Sequence, residues 1–129
     1  MNWIILVSMI FCHIIDDYYL QGILASMKQR RWWNEHAPDY KYRNDYIMAL
    51  AIHSMSWAFM IMLPLFIDSN FQLNIVFSVV WIGNTLIHSI VDNAKANLKY
   101  INLIQDQLIH IAQIVITFIF YTYSINIKV

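Results

Sequence analysis

Long apolar runs alternate with short polar interruptions along this chain, and four of the runs are long enough to cross a bilayer. A transmembrane helix takes about 20 mostly apolar residues. The runs extend about from Trp3 to Leu24, Ile47 to Ile67, Phe71 to Val91 and Ile101 to Tyr123. They predict an all-α fold, an integral membrane bundle of four transmembrane helices with both termini on the same side. One domain over residues 1–129 fits that length, with a long polar connection at 28–45 and a tight turn around Asp68-Ser69-Asn70. The first run is not a signal peptide. It lacks a basic start and a small-residue cleavage site, and it carries His13, Asp16 and Asp17 inside.

Composition agrees with this pattern. Of 129 residues, 60% are hydrophobic and 12% charged, where a soluble domain carries about a quarter charged. The formal net charge is +0, which argues against nucleic acid as a partner. A lone cysteine, Cys12, cannot form an intrachain disulfide. No glycine-rich phosphate loop exists, so P-loop nucleotide hydrolysis is excluded.

The charges also suggest an orientation. Lys28, Arg30, Arg31, Lys41, Arg43, Lys95 and Lys99 fall on one side of a four-span arrangement, and Lys128 falls on the other. The positive-inside tendency then places both connections in the cytoplasm and both termini outside, in a multi-pass inner-membrane protein. Membrane lipids are the expected partners. The stretch KQRRWWNEHAPDYKYR suits an anionic leaflet and equally a solvated loop. A bundle this small is compatible with a monomer or a homo-oligomer.

Polar residues inside the runs recur at helical spacing. His13, Asp17 and Gln21 are four apart in the first span, with Asp16 also in reach of His13. His53 stands in the second, with Ser56 on roughly the same side. Asn84, His88, Asp92 and Lys95 follow in the third, and Asn102, Asp106, His110 and Gln113 in the fourth. With spans running alternately inward and outward, the histidines and carboxylates of all four fall in one layer of the cytoplasmic half. An Asp at the bilayer centre costs about 2.5–3.5 kcal/mol to insert, so these residues are expected to face inward and find partners. Crowded carboxylates repel without a cation. Neutral imidazoles and carboxylates are ligands for Zn²⁺ first, and for Fe or Mn²⁺. His13, Asp17, His53, His88, Asp92 and His110 are the candidate metal ligands. Asp106 and Asp17 are the candidate general bases, and Lys95 is placed to attract a phosphate or merely to snorkel. Gln21, Asn84, Asn102 and Gln113 read as hydrogen-bonding residues between helices. Trp57, Trp81 and the Met-rich MSWAFMIM read as packing against lipid and neighbouring helices, and Pro64 as shaping the following turn.

The runs HIIDDYYLQ, IHSMSW, HSIVDNAK and DQLIH resemble a family of small bacterial and phage membrane proteins known as domain of unknown function 3307. The matching positions are His13, Asp17, Gln21, His53, His88, Asp92, Lys95, Asp106, Gln107 and His110, over nearly the whole chain. Asp16 stands where that family has a small residue. The resemblance implies kinship with inner-membrane proteins classed as metal-dependent hydrolases, and it adds Gln21 and Gln107 to Lys95 as substrate-side contacts. Two functions are expected from these readings. One is a metal-dependent hydrolase acting on a lipid or lipid-linked ester or phosphoester. The other is a proton or divalent-cation transport or binding protein, or a membrane protein without catalysis.

Overall fold

The computed structural model describes residues 2–126. Lys128 lies outside the described residues. The first span is α1 (Trp3–Ile15), capped by the Asn2 side chain and continued by a π-helical turn at Asp16–Leu20. Two short helices follow, α2 (Leu24–Met27) and α3 (Arg30–His36), then a 3-10 turn at Tyr40–Tyr42. The remaining spans are α4 (Asp45–Asp68), α5 (Ile75–Ala96) and α6 (Leu103–Asn126). Four helices are long and apolar enough to cross a membrane, and every described element is helical.

The bundle is polar inside and apolar outside over much of its length. Ile4, Val7, Phe11, Leu86, Ile90 and Ile116 are exposed, whereas His13, His53, His88, Asp92, Asp106 and His110 are 0–1% accessible. Lipid tails solvate the first group as well as a protein core would, and only the bundle interior offers the second group partners. That inversion is what four apolar helices carrying inward polar stripes must adopt.

Contacts at one end fix the topology. Trp3 of α1 packs on Phe118 of α6 at 6.1 Å between ring centroids, and Phe77 of α5 lies 5.3 Å from Phe66 of α4 and 6.3 Å from Tyr121 of α6. The start of α1, the end of α4, the start of α5 and the late part of α6 therefore share one end, termed the turn end. The opposite end carries residues 21–44 and is termed the strap end.

Local structure departs from the sequence expectation in four places. The turn after α4 is longer than a tight turn: Asn70 and Phe71 adopt φ of 53° and 61°, and α5 begins only at Ile75. Asn74 is its cap, accepting from the Phe77 N–H at 2.8 Å, so Phe71–Asn74 is not helical. The first span stops at Leu20, short of the expected Leu24. The connection at 28–45 is largely folded. Gly22, at φ +48°, reverses the chain after the π turn, a conformation that costs a glycine little. Met27 then accepts a hydrogen bond from the Trp33 indole at 2.7 Å, which holds α2 against α3.

Candidate metal centre

The π turn is the first device that builds the site. Its signature bond runs from the Gln21 N–H to the Asp16 carbonyl at 3.1 Å. A turn widened in this way aims adjacent residues inward, and such turns are frequent at functional sites. Asp16 and Asp17 are both buried as a result. They do different things. Asp16 turns towards α4, where its Oδ1 accepts from the Ser56 hydroxyl at 2.8 Å. Asp17 turns towards the histidines, its Oδ1 3.5 Å from His53 Nε2.

Three imidazoles meet there through their Nε2 atoms. His88 and His53 approach to 3.2 Å, and Asp92 Oδ2 lies 3.3 Å from His53 and 3.7 Å from His88. Asp92 Oδ1 lies 3.4 Å from His110 Nε2. A tetrahedral ion bound at roughly 2.0–2.2 Å holds neighbouring ligand atoms about 3.3–3.6 Å apart. The separations here are of that size. Two groups satisfy the geometry, Asp17–His53–His88 and His88–Asp92–His110, with ligand atoms all within 4.8 Å of one another in each. Buried His and Asp side chains from all four spans can therefore hold a metal ion. The orphaned atoms point the same way. Asp92 Oδ1 and His110 Nε2 are buried and have no hydrogen-bond partner. Buried polar atoms are ordinarily satisfied, and a cation between them would satisfy both.

His13 and Asp106 stand outside both groups. The Trp57 indole N–H, which can only donate, bonds His13 Nδ1 at 2.8 Å. The His13 proton therefore sits on Nε2, which donates to Gln107 Oε1 at 3.1 Å. Neither ring nitrogen is left to bind a metal, so this structure places His13 around the site rather than among the ligands. Gln107 in turn donates to Asp17 Oδ2 and Asp106 Oδ2, both at 3.1 Å. It acts as a clamp between two carboxylates, not as a free substrate contact. Gln21 is engaged similarly, donating to the Asp17 carbonyl and to Asp17 Oδ1. Lys95 neither snorkels nor waits free: it bonds Asp106 Oδ2 at 2.5 Å. Asp106 Oδ1, 3.4 Å from His110 Nε2, has no partner.

Two members were not visible in the sequence. Trp57 is fully buried, not lipid-facing, and stacks on His88 at 4.0 Å with planes 17° apart. His110 lies 4.3 Å from His88 and 5.2 Å from Trp57, so the three rings form one cluster. Packing in that cluster holds the His88 ring, whose Nδ1 has no hydrogen-bond partner to do so. Lys28, from the strap, is 6% accessible and bonds Asp92 Oδ2 at 2.5 Å. Towards the turn end the polar layer finishes in a small network. Gln113 and Thr117 donate to Asn84 Oδ1 at 2.8 and 3.0 Å.

Comparison with known proteins yields one finding. The family model described as "Protein of unknown function (DUF3307)" matches residues 5–129. No curated protein and no solved structure matches.

Proposed function

This chain belongs to the DUF3307 family, and on that premise we propose that it is a metal-dependent membrane hydrolase acting on a lipid or lipid-linked ester or phosphoester. The observation that carries the reading is the convergence of His53, His88 and His110 Nε2 with Asp17 and Asp92 at ligand-like separations in a water-poor interior. Such an ion, Zn²⁺ by its preference for this donor set, supplies an acidified water and a polarised ester or phosphoester oxygen.

The chain's own residues supply the rest. Asp17, His53, His88, Asp92 and His110 are the ligands available. His13, held by Trp57 and Gln107, positions the carboxylate of Asp17 through that glutamine. Asp106 is the general base: Lys95 and Gln107 fix one oxygen, and Oδ1 is left to take a proton. A substrate enters sideways from the membrane. A mostly apolar cleft of about 310 Å³ opens between the strap and α4, lined by Leu24, Met27, Trp33, Met48, Ala49 and Ile52 together with the acidic Asp45. Ile52 is next to His53 in sequence, and an acyl chain suits such a lining. The basic strap end faces the cytoplasm on the positive-inside tendency.

Transport is less well supported. The Asn84–Gln113–Thr117 network extends the polar layer, yet beyond it Leu65, Phe77 and Phe118 are packed at 1–3% exposure. A conduit needs polar groups through that level. Elemental analysis of detergent-purified protein tests the proposal, followed by a screen of lipid esters and phosphoesters. Stoichiometric metal in the wild type, lost in His88→Ala, is expected. Absence of metal, or metal content unchanged by that substitution, overturns it.

A further inference from the structure

The strap carries a cation of its own into the site. Lys28 follows α2 directly, and its ammonium reaches Asp92 Oδ2 at 2.5 Å. That oxygen is also the one nearest His53 and His88 Nε2, at 3.3 and 3.7 Å. An ion seated in the His88–Asp92–His110 group through this oxygen would share it with the Lys28 ammonium. Two cations held at one carboxylate oxygen in a low-dielectric interior also repel each other.

The strap segment around Lys28 is clamped, not merely lying there. Asn97, just past the end of α5, donates from Nδ2 to the Lys28 carbonyl at 3.1 Å. Its Oδ1 accepts from the Arg30 N–H at 2.7 Å. One side chain thus grips the backbone on both sides of Gln29, and this grip and the Lys28–Asp92 pair together hold the strap docked. At the other end Gly22 supplies the bend about which the segment could swing.

We propose that Lys28 is the site's built-in counter-cation, and that metal binding and strap docking compete for Asp92. This rests on the metal-centre reading above and adds regulation to it: loading the site expels Lys28 and releases the strap, and docking of the strap releases the ion. Lys28 is a positioning residue, acting through Asp92. A purely structural ion pair makes the opposite demand, because removing Lys28 would then disorder Asp92 and weaken metal binding.

The experiment is Zn²⁺ titration of the full chain in detergent against a chromophoric chelator, with wild type, Lys28→Met and Asn97→Ala. If the docked strap is populated in about nine molecules of ten or more, Lys28→Met tightens apparent Zn²⁺ binding about tenfold or more. Asn97→Ala, which keeps the ammonium, tightens it by a smaller factor. Trypsin reports on the strap in the same samples, since Arg30 and Arg31 are exposed. Zn²⁺ is expected to accelerate cleavage there several-fold in wild type but not in Asp92→Asn. If wild type binds Zn²⁺ and Lys28→Met binds it equally or more weakly, the competition is overturned while the metal centre stands. Should Lys28→Met fail to fold, unchanged affinity in Asn97→Ala with no Zn²⁺ effect on wild-type cleavage overturns it equally. If no variant binds Zn²⁺, both proposals fall together.

Discussion

The two halves of this bundle solve opposite problems with the same four helices. At the turn end, Ile61, Leu65, Phe77, Ile114 and Phe118 pack together as in any hydrophobic core. At the strap end the interior is imidazole, carboxylate, amide and ammonium, and cohesion comes from bonds that each need a specific partner. Trp57 belongs to both. Its ring joins the apolar cluster, and its indole N–H bonds His13. Met62 also touches both, its Sδ accepting from Asn84 Nδ2 at 3.8 Å. Shape decides most of the first half, and donor–acceptor matching decides the second. The turn-end half should therefore tolerate change by degrees, whereas the strap-end half should fail residue by residue.

Four substitutions break or sharpen that contrast. The largest effect is expected from His88→Ala, which removes the one imidazole common to both ligand groups. Metal content by elemental analysis should fall from stoichiometric to background. Next is Phe118→Ala in the other half, where truncating a buried aromatic ring costs about 3–5 kcal/mol. Denaturant unfolding in detergent should register that loss, while metal content of the folded fraction stays at the wild-type level. Loss of metal there would mean that the halves are not separable. Trp57→Phe tests the shared residue. It keeps a ring against His88 but frees His13 Nδ1, loosening the His13–Gln107 chain that fixes Asp17. Metal affinity should therefore fall by less than the about 10–100-fold that loss of a bond to a ligand itself costs. A chelator competition assay reads this directly, with unfolding little altered. The smallest effect is expected for Asn84→Leu. Interhelical hydrogen bonds in membranes average about 0.6 kcal/mol, so unfolding should shift by that order with no change in metal content.

Much of the fold was legible because a bilayer imposes a coarse grammar. Span length and apolar runs identify α1, α4, α5 and α6 to within a few residues at most ends. The helical period also aligns His88 with Asp92 and Asp106 with His110, and four such stripes fall at one depth. What the sequence withheld depends on geometry without a local signature. Asp16 and Asp17 both lie in a π turn, which no spacing rule reveals, and only the fold shows Asp17 facing the histidines. Trp57 looks like any aromatic residue in a membrane helix until His13 and His88 are seen beside it. Lys28 sits in a stretch whose charge reads as a surface property, yet Asn97, far along the chain, draws it inside. Lys95 and Gln107 stand at positions that suggest a substrate contact, and each instead holds a carboxylate.

The origin of the ligands has a consequence for how the protein is made. Asp16 and Asp17 leave the ribosome early, on a first helix whose neutralising and hydrogen-bonding partners are encoded some 40 to 90 residues later. Until α4 follows, Asp16 lacks Ser56 and Asp17 lacks His53, and until α6 follows Asp17 also lacks Gln107. Biogenesis should therefore stall at a half-inserted stage, and a chain truncated before α6 should be cleared by quality-control proteases, not retained as a stable three-helix product.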